Sequence, residues 1–171
     1  MRLNARVLVA VTSILTALFT AAIQPAHRAA AGGGGTLEAD TAFVEQMLFA
    51  TPLKTFTSDA KNRIGPDGAV GDTWFDWSTD FCSAPLIGNT GRSFNFTEPC
   101  RRHDFGYRNT KLLDDRYGAG ASWNGTSRRR IDQQFLADMK ATCRARSVLL
   151  LPTCMSWSYT FYGAVRTFGG P

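Results

Sequence analysis

The segment PCRRHDFGYRN, residues 99–109, sets a histidine beside an aspartate and follows them with a glycine and a tyrosine. On a helix, Cys100, Asp104 and Tyr107 fall near one stripe, while His103 turns about a quarter-circle away. His103 and Asp104 therefore aim at two neighbouring spots and do two different jobs. A histidine, with an unperturbed pKa near ~6.5, is suited to taking a proton close to neutral pH. As a general base it needs a carboxylate from elsewhere in the chain. Asp132 is the candidate, because it sits beside Ile131 and three residues before Phe135, among positions that read as core. A carboxylate there is unfavourable unless it is hydrogen-bonded. A His103–Asp132 dyad would fix the imidazole tautomer and stabilise the imidazolium formed on proton uptake. Tyr107, one turn on from His103, can reach the same carboxylate.

Asp104 then needs its own partner. A second carboxylate, Asp80, lies beside Cys82 in TWFDWSTDFCSAPLIGNTGRSFNFTEP, residues 73–99. Two carboxylates supplemented by backbone carbonyls, foremost that of Phe81, make an oxygen-rich site of the kind Ca²⁺ takes. Such an ion polarises an ester carbonyl and stabilises the oxyanion. Taken singly, each residue has an ordinary explanation: a satisfied helix histidine, a turn cap at Asp80, a first-turn acid at Asp132. Their combination with two neighbouring cysteines points to hydrolysis by an activated water.

The elements that must position these residues are read from periodicity. Phe43, Val44, Met47 and Leu48 predict a helix over 40–51 with Asp40 or Thr41 as cap. A short second helix is expected in TPLKTFTSDAKN, and RIGPDGAVGD reads as loop. The aromatic stretch that follows keeps neither period, so an ordered loop is expected, held by a disulfide or an ion. Thr97-Glu98-Pro99 opens a helix, with Thr97 as its expected cap, that runs to about Tyr117, where Gly118 and Gly120 stop it. Ser127 is the expected cap of the next helix, whose Ile131, Phe135 and Met139 form a stripe. A last helix follows Pro152. The fold class is all-α, with the two central helices antiparallel.

Residues 1–31 have basic Arg2 and Arg6, an uncharged apolar run from Val7 to Ile23, and small residues at Ala29–Ala31. That is the layout of a secretory signal, with cleavage after Ala31 or at Ala26; a retained anchor is the competing reading. The remainder, residues 32–171, reads as one catalytic domain of a secreted protein. It carries 16 basic and 14 acidic side chains, and the basic ones concentrate in residues 101–146, with 11 against 5 acidic. An anionic surface, of lipid headgroups or of nucleic acid, suits that half, and a solvated helix pair is the competing reading. Cys82, Cys100, Cys143 and Cys154 allow three disulfide pairings; the two short loops, Cys82–Cys100 and Cys143–Cys154, are the expected pair.

FDWSTDFC, PCRRHDFGYRN, RRIDQQFLADMKATC and SWSYTFYGAVRTFG, in this order across residues 74–169, together resemble the secreted bacterial and fungal branch of phospholipase A2. The resemblance implies a small disulfide-stabilised phospholipase A2-like fold. It implies His103 as the base that activates water, Asp132 as its orienting partner, and Asp80, Asp104 and the Phe81 carbonyl as Ca²⁺ ligands. The implied reaction is hydrolysis of the sn-2 ester of a glycerophospholipid to lysophospholipid and fatty acid, without an acyl-enzyme, by a monomer at a phospholipid membrane or micelle surface. Two departures stand out: Phe81, where some relatives carry Gly or Leu, and a longer connection, RYGAGASWNGTS, between the central helices. Trp123 in that connection either touches the lipid surface or packs on the domain. The alternative function is a non-catalytic lipid-binding or toxin-like module of the same fold. A nuclease fits poorly, because the basic run at 128–130 is not interleaved with aromatic side chains and no nucleic acid partner is expected.

Overall fold

A computed structural model describes residues 35–64, 73–82, 90–91 and 94–169. The expected secretory signal and all but the first two residues of the 63–72 loop lie outside the described residues. Helix α1, Leu37–Glu45, runs on into a π turn at Gln46–Ala50, and α2 spans Leu53–Arg63. A two-residue hairpin follows, β1 Thr90–Gly91 against β2 Phe94–Asn95, with Thr90 opposite Asn95 and Gly91 opposite Phe94. Then come α3, Thr97–Tyr117, α4, Gly125–Arg144, and α5, Leu151–Phe168. Among the described residues the architecture is all-α apart from that hairpin.

Three helix starts differ from the sequence expectation. The cap of α1 is Thr36, whose Oγ1 accepts from the Ala39 N–H at 3.2 Å. Asp40 is instead wholly buried and accepts from Trp74 Nε1 at 3.0 Å, Arg116 Nη1 at 2.9 Å and Tyr117 Oη at 2.8 Å. A carboxylate with three donors gains more inside than a cap would give it. At α4 the cap is Asn124. Its Oδ1 accepts from the backbone N–H groups of Thr126 and Ser127, both at 3.0 Å, and Ser127 Oγ accepts from the Asn124 N–H at 2.9 Å. Ser127 is thus the third residue of a reciprocal capping box and not the cap. Thr97 is the first residue of α3, and Asn95 Oδ1 takes its N–H at 2.9 Å.

Helices α3 and α4 run antiparallel. Arg102 meets Asp138 at one end of their contact, with Nε donating to Oδ2 at 2.8 Å, and Gly106 meets Ile131 nearer the other. A Cβ added at Gly106 would lie 2.9 Å from both Ile131 Cγ2 and Leu48 Cδ2, so only glycine permits this approach. Two apolar clusters result. One gathers Phe43, Leu48, Phe56, Phe75, Trp77 and Phe105 between α1, α2 and α3. The other gathers Phe94, Phe96, Phe135, Met139 and Phe161 around the disulfides Cys82–Cys100 and Cys143–Cys154.

The described start of the aromatic loop, residues 73–82, is held by side chains as well as by its disulfide. Phe75 stacks on Phe43 at 4.5 Å, and Trp77 lies 4.5 Å from Phe105. Asn109 clamps the backbone between them: its Oδ1 accepts from the Asp76 N–H and its Nδ2 donates to the Asp76 carbonyl, both at 2.8 Å. The long connection between α3 and α4 is held by Asp114, whose carboxylate accepts from the N–H groups of Gly120, Ser122 and Trp123. Trp123 is half-buried, edge-on to Tyr107 at 4.8 Å and beneath Lys111.

Candidate active site

Helix α3 presents His103 inward, between the rings of Tyr107 at 4.3 Å and Phe135 at 4.8 Å. Its Nε2 lies 2.9 Å from Asp132 Oδ1 on α4. Asp132 is fully buried, and Tyr107 Oη donates to the same oxygen at 2.8 Å. Burial raises the Asp132 pKa, but the hydrogen bonds from His103, Arg166 and Tyr107 outweigh it and hold the carboxyl below its usual range. An ionised carboxylate only accepts, so Nε2 must carry the proton of this bond. Nδ1 is then the lone pair, on a ring that lines a cavity of about 340 Å³. The fixed tautomer is the physical content of the dyad: it leaves one ring nitrogen free to accept a proton.

Two arginines complete this arrangement, and sequence reasoning missed both. Arg166, on α5, donates from Nη1 to Asp132 Oδ2 at 2.7 Å. Arg128, at the start of α4, donates from Nε to Tyr107 Oη at 3.2 Å and from Nη2 to the carbonyls of Val165 and Arg166. The Asp132 carboxylate therefore ties α3, α4 and α5 together. The one available signal was that Arg166 is the only charged residue of α5.

Asp104 lies on the same side of α3 as the cavity and accepts from Thr79 Oγ1. Burial, reinforced by the nearby Asp80 charge, pushes its pKa up to about 6, although Thr79, His103 and Arg108 pull the other way. Asp80 is mostly exposed and pairs with Arg108 Nη2 at 3.0 Å. Between the Asp80 carboxylate and the Cys82–Cys100 bridge stands Phe81 with φ 58°, the left-handed region that disfavours a side chain by about 1–2 kcal/mol. Its N–H donates to Thr79 Oγ1 at 3.0 Å, and its ring lies under the Arg101 guanidinium.

Asp80, Phe81 and Asp104 all line the cavity that holds His103. Among the described residues, no group of three or more His, Cys, Asp and Glu side chains converges as a metal cage. The donor set is two carboxylates and main-chain oxygen, with one carboxylate under-compensated by its surroundings. That chemistry fits a hard, oxygen-seeking cation that completes its shell with water.

Comparisons with known proteins identify the family. Residues 44–169 match the family described as prokaryotic phospholipase A2. The chain is 36% identical over 126 residues to a secretory phospholipase A2 of Beauveria bassiana, a match that covers 74% of this chain and 57% of that protein. It is 29% identical over 144 residues to a secretory phospholipase A2 of Arthroderma benhamiae, covering 82% of this chain and 86% of the other. The chain thus spans little more than half the length of the Beauveria relative. The family match takes in His103, Asp104, Asp132, both disulfides and all three long helices, and the chain belongs to the prokaryotic phospholipase A2 family.

Proposed function

We propose that this protein is a secreted, calcium-dependent phospholipase A2 that hydrolyses the sn-2 ester of glycerophospholipids to lysophospholipid and free fatty acid. The observation that carries the reading is the 2.9 Å contact between His103 Nε2 and a buried, ionised Asp132, which leaves Nδ1 as a base on a cavity wall. A water held at Nδ1 gives up a proton to the ring as its oxygen attacks the ester carbonyl. The imidazolium so formed keeps its Nε2–H on Asp132, whose negative charge balances it. Nδ1 then returns the proton to the leaving glycerol oxygen, which restores the starting state. Tyr107 and Arg166 keep the carboxylate oriented throughout. Asp80, Asp104 and the Phe81 carbonyl would hold the Ca²⁺, which supplies positive charge to the developing oxyanion when bound. The mostly apolar wall opposite, with Phe161, Val165 and Phe168, suits an acyl chain. Secretion is supported by the secretory relatives and by the layout of residues 1–31.

The test is fatty-acid release from mixed phosphatidylcholine micelles with Ca²⁺, with chelator, and with His103→Ala in Ca²⁺. Activity that needs both calcium and His103 is the expected result. A folded wild type that releases nothing in calcium would overturn the reading in favour of a lipid-binding module.

A further inference from the structure

We propose that the outer face of α5, together with the loop before it, is the surface by which this protein lies on an anionic lipid bilayer. The proposal deepens the phospholipase reading and rests on it for the nature of the surface. Helix α5 has 18 residues and is about 27 Å long. Its inner side buries Cys154, Ser158 and Phe161 against α4. Its exposed stripe is Pro152, Ser156, Tyr159, Thr160, Gly163 and Thr167. A solvent-facing helix side ordinarily carries charges; this one carries none, because the single charged residue of α5 turns inward onto Asp132.

The two ends of this stripe are apolar. At the N-terminal end Val148 and Leu149 are 78% and 86% exposed, and Leu150 follows them, inside the loop closed by Cys143–Cys154. At the other end Phe168 is 75% exposed and stands at the edge of the His103 cavity. A run of exposed apolar residues on a covalently closed loop marks an interaction site. Its partner is indicated by charge. The sequence has no Asp or Glu from Met139 to Pro171, and the last acid before it, Asp138, is buried on Arg102. Lys140, Arg144 and Arg146 border the loop, and the Lys140 ammonium lies 4.5 Å from the centre of the Tyr159 ring. An uncharged, partly apolar strip bordered by these cations complements anionic headgroups over an acyl interior. Lying flat, α5 would set Phe168, and so the cavity mouth, at the level of the lipid.

The experiment measures partitioning of the purified protein onto vesicles of diether-linked lipids, which have no ester to cleave. Equimolar phosphatidylglycerol and phosphatidylcholine is compared with phosphatidylcholine alone, in calcium. Leu149→Asp tests the loop. Gly163→Glu tests the stripe, where an added Cβ meets nothing within 4 Å. Each is expected to reduce partitioning onto the anionic vesicles about tenfold or more, while Gly163→Lys retains it. Variants that partition like wild type, or a wild type that does not partition, would overturn the proposal. So would a wild-type dimer that Leu149→Asp dissolves without changing lipid partitioning, which would assign the face to a second copy. The hydrolase reading is decided separately by the micelle assay, since no turnover enters this measurement.

Discussion

Arg166 Nη1 lies 2.7 Å from Asp132 Oδ2, while His103 Nε2 occupies the other oxygen of the same carboxylate. The base and a helix clamp thus share one buried charge. Replacing Arg166 by Met removes the cation that competes with an imidazolium for Asp132. Asp132 then loses the donor that fixes its Oδ2. We expect a loss in rate of roughly 10–100-fold, with partial recovery in Arg166→Lys. An unchanged rate of fatty-acid release in Arg166→Met would assign this arginine to packing alone.

Asp132→Asn keeps the shape of the carboxylate but offers an amide where the tautomer needs an acceptor. By analogy with other His–carboxylate pairs the turnover rate drops by roughly a thousandfold or more. Circular dichroism should stay native, which separates lost chemistry from lost structure. Near-wild-type turnover would remove Asp132 from the mechanism.

Asp104→Asn tests the cation site without any catalysis. On the proposed reading calcium binds the folded state, so adding it should raise the melting temperature of the wild type by mass action, and chelator should reverse the rise. The variant should show little or no calcium-dependent rise. An equal rise in both would place the ion elsewhere.

Asp40 makes stability sensitive to acid. Burial raises its pKa, but the hydrogen bonds from Tyr117, Trp74 and Arg116 outweigh burial, so the folded value lies below the unfolded one. Its contribution is therefore complete above the usual carboxylate pKa, near ~4, and is lost as pH falls through the folded value. Asp40→Asn should cost about 3 kcal/mol near neutrality and flatten the decline of the melting temperature in acid. An acid decline as steep as that of wild type would rule Asp40 out as its source.

Gly106 sets the spacing between α3 and α4. Gly106→Val drives methyl groups toward Ile131 and Leu48, with an expected destabilisation of about 1–3 kcal/mol in urea. Because the same spacing sets the His103–Asp132 contact, turnover should fall with it. A variant as stable as wild type would show that the helices can part freely.

The residues behind these predictions were unequally legible in the sequence. Asp132 stood out because a carboxylate inside the apolar stripe of α4 is a local anomaly, visible without a fold. The central helices were legible through their period and the glycines beyond Tyr117. The two cysteine pairs were legible because each closes a short loop. Arg166 was not, since its partner lies 34 residues away and a cation in the last turn of a helix has a sufficient local explanation in the helix dipole. Asp40 looked like a cap for the same reason: an acid in a first turn satisfies a local rule, and only Trp74, Arg116 and Tyr117 draw it inside. At α4, Asn124 and Ser127 can both cap, and which one does depends on backbone geometry that composition does not encode. The hairpin at 90–95 has strands too short to show alternation.

The clamp on Asp132 also has a consequence in time. Read from N-terminus to C-terminus, both dyad residues are delivered well before Arg166. Until α5 docks, a growing chain carries His103 and Asp132 but lacks the donor to Oδ2 and the wall bearing Phe161 and Val165. On the proposed mechanism chemistry would begin only when the final long helix arrives, so that an unfinished chain would be a latent one and completion of the molecule itself the switch.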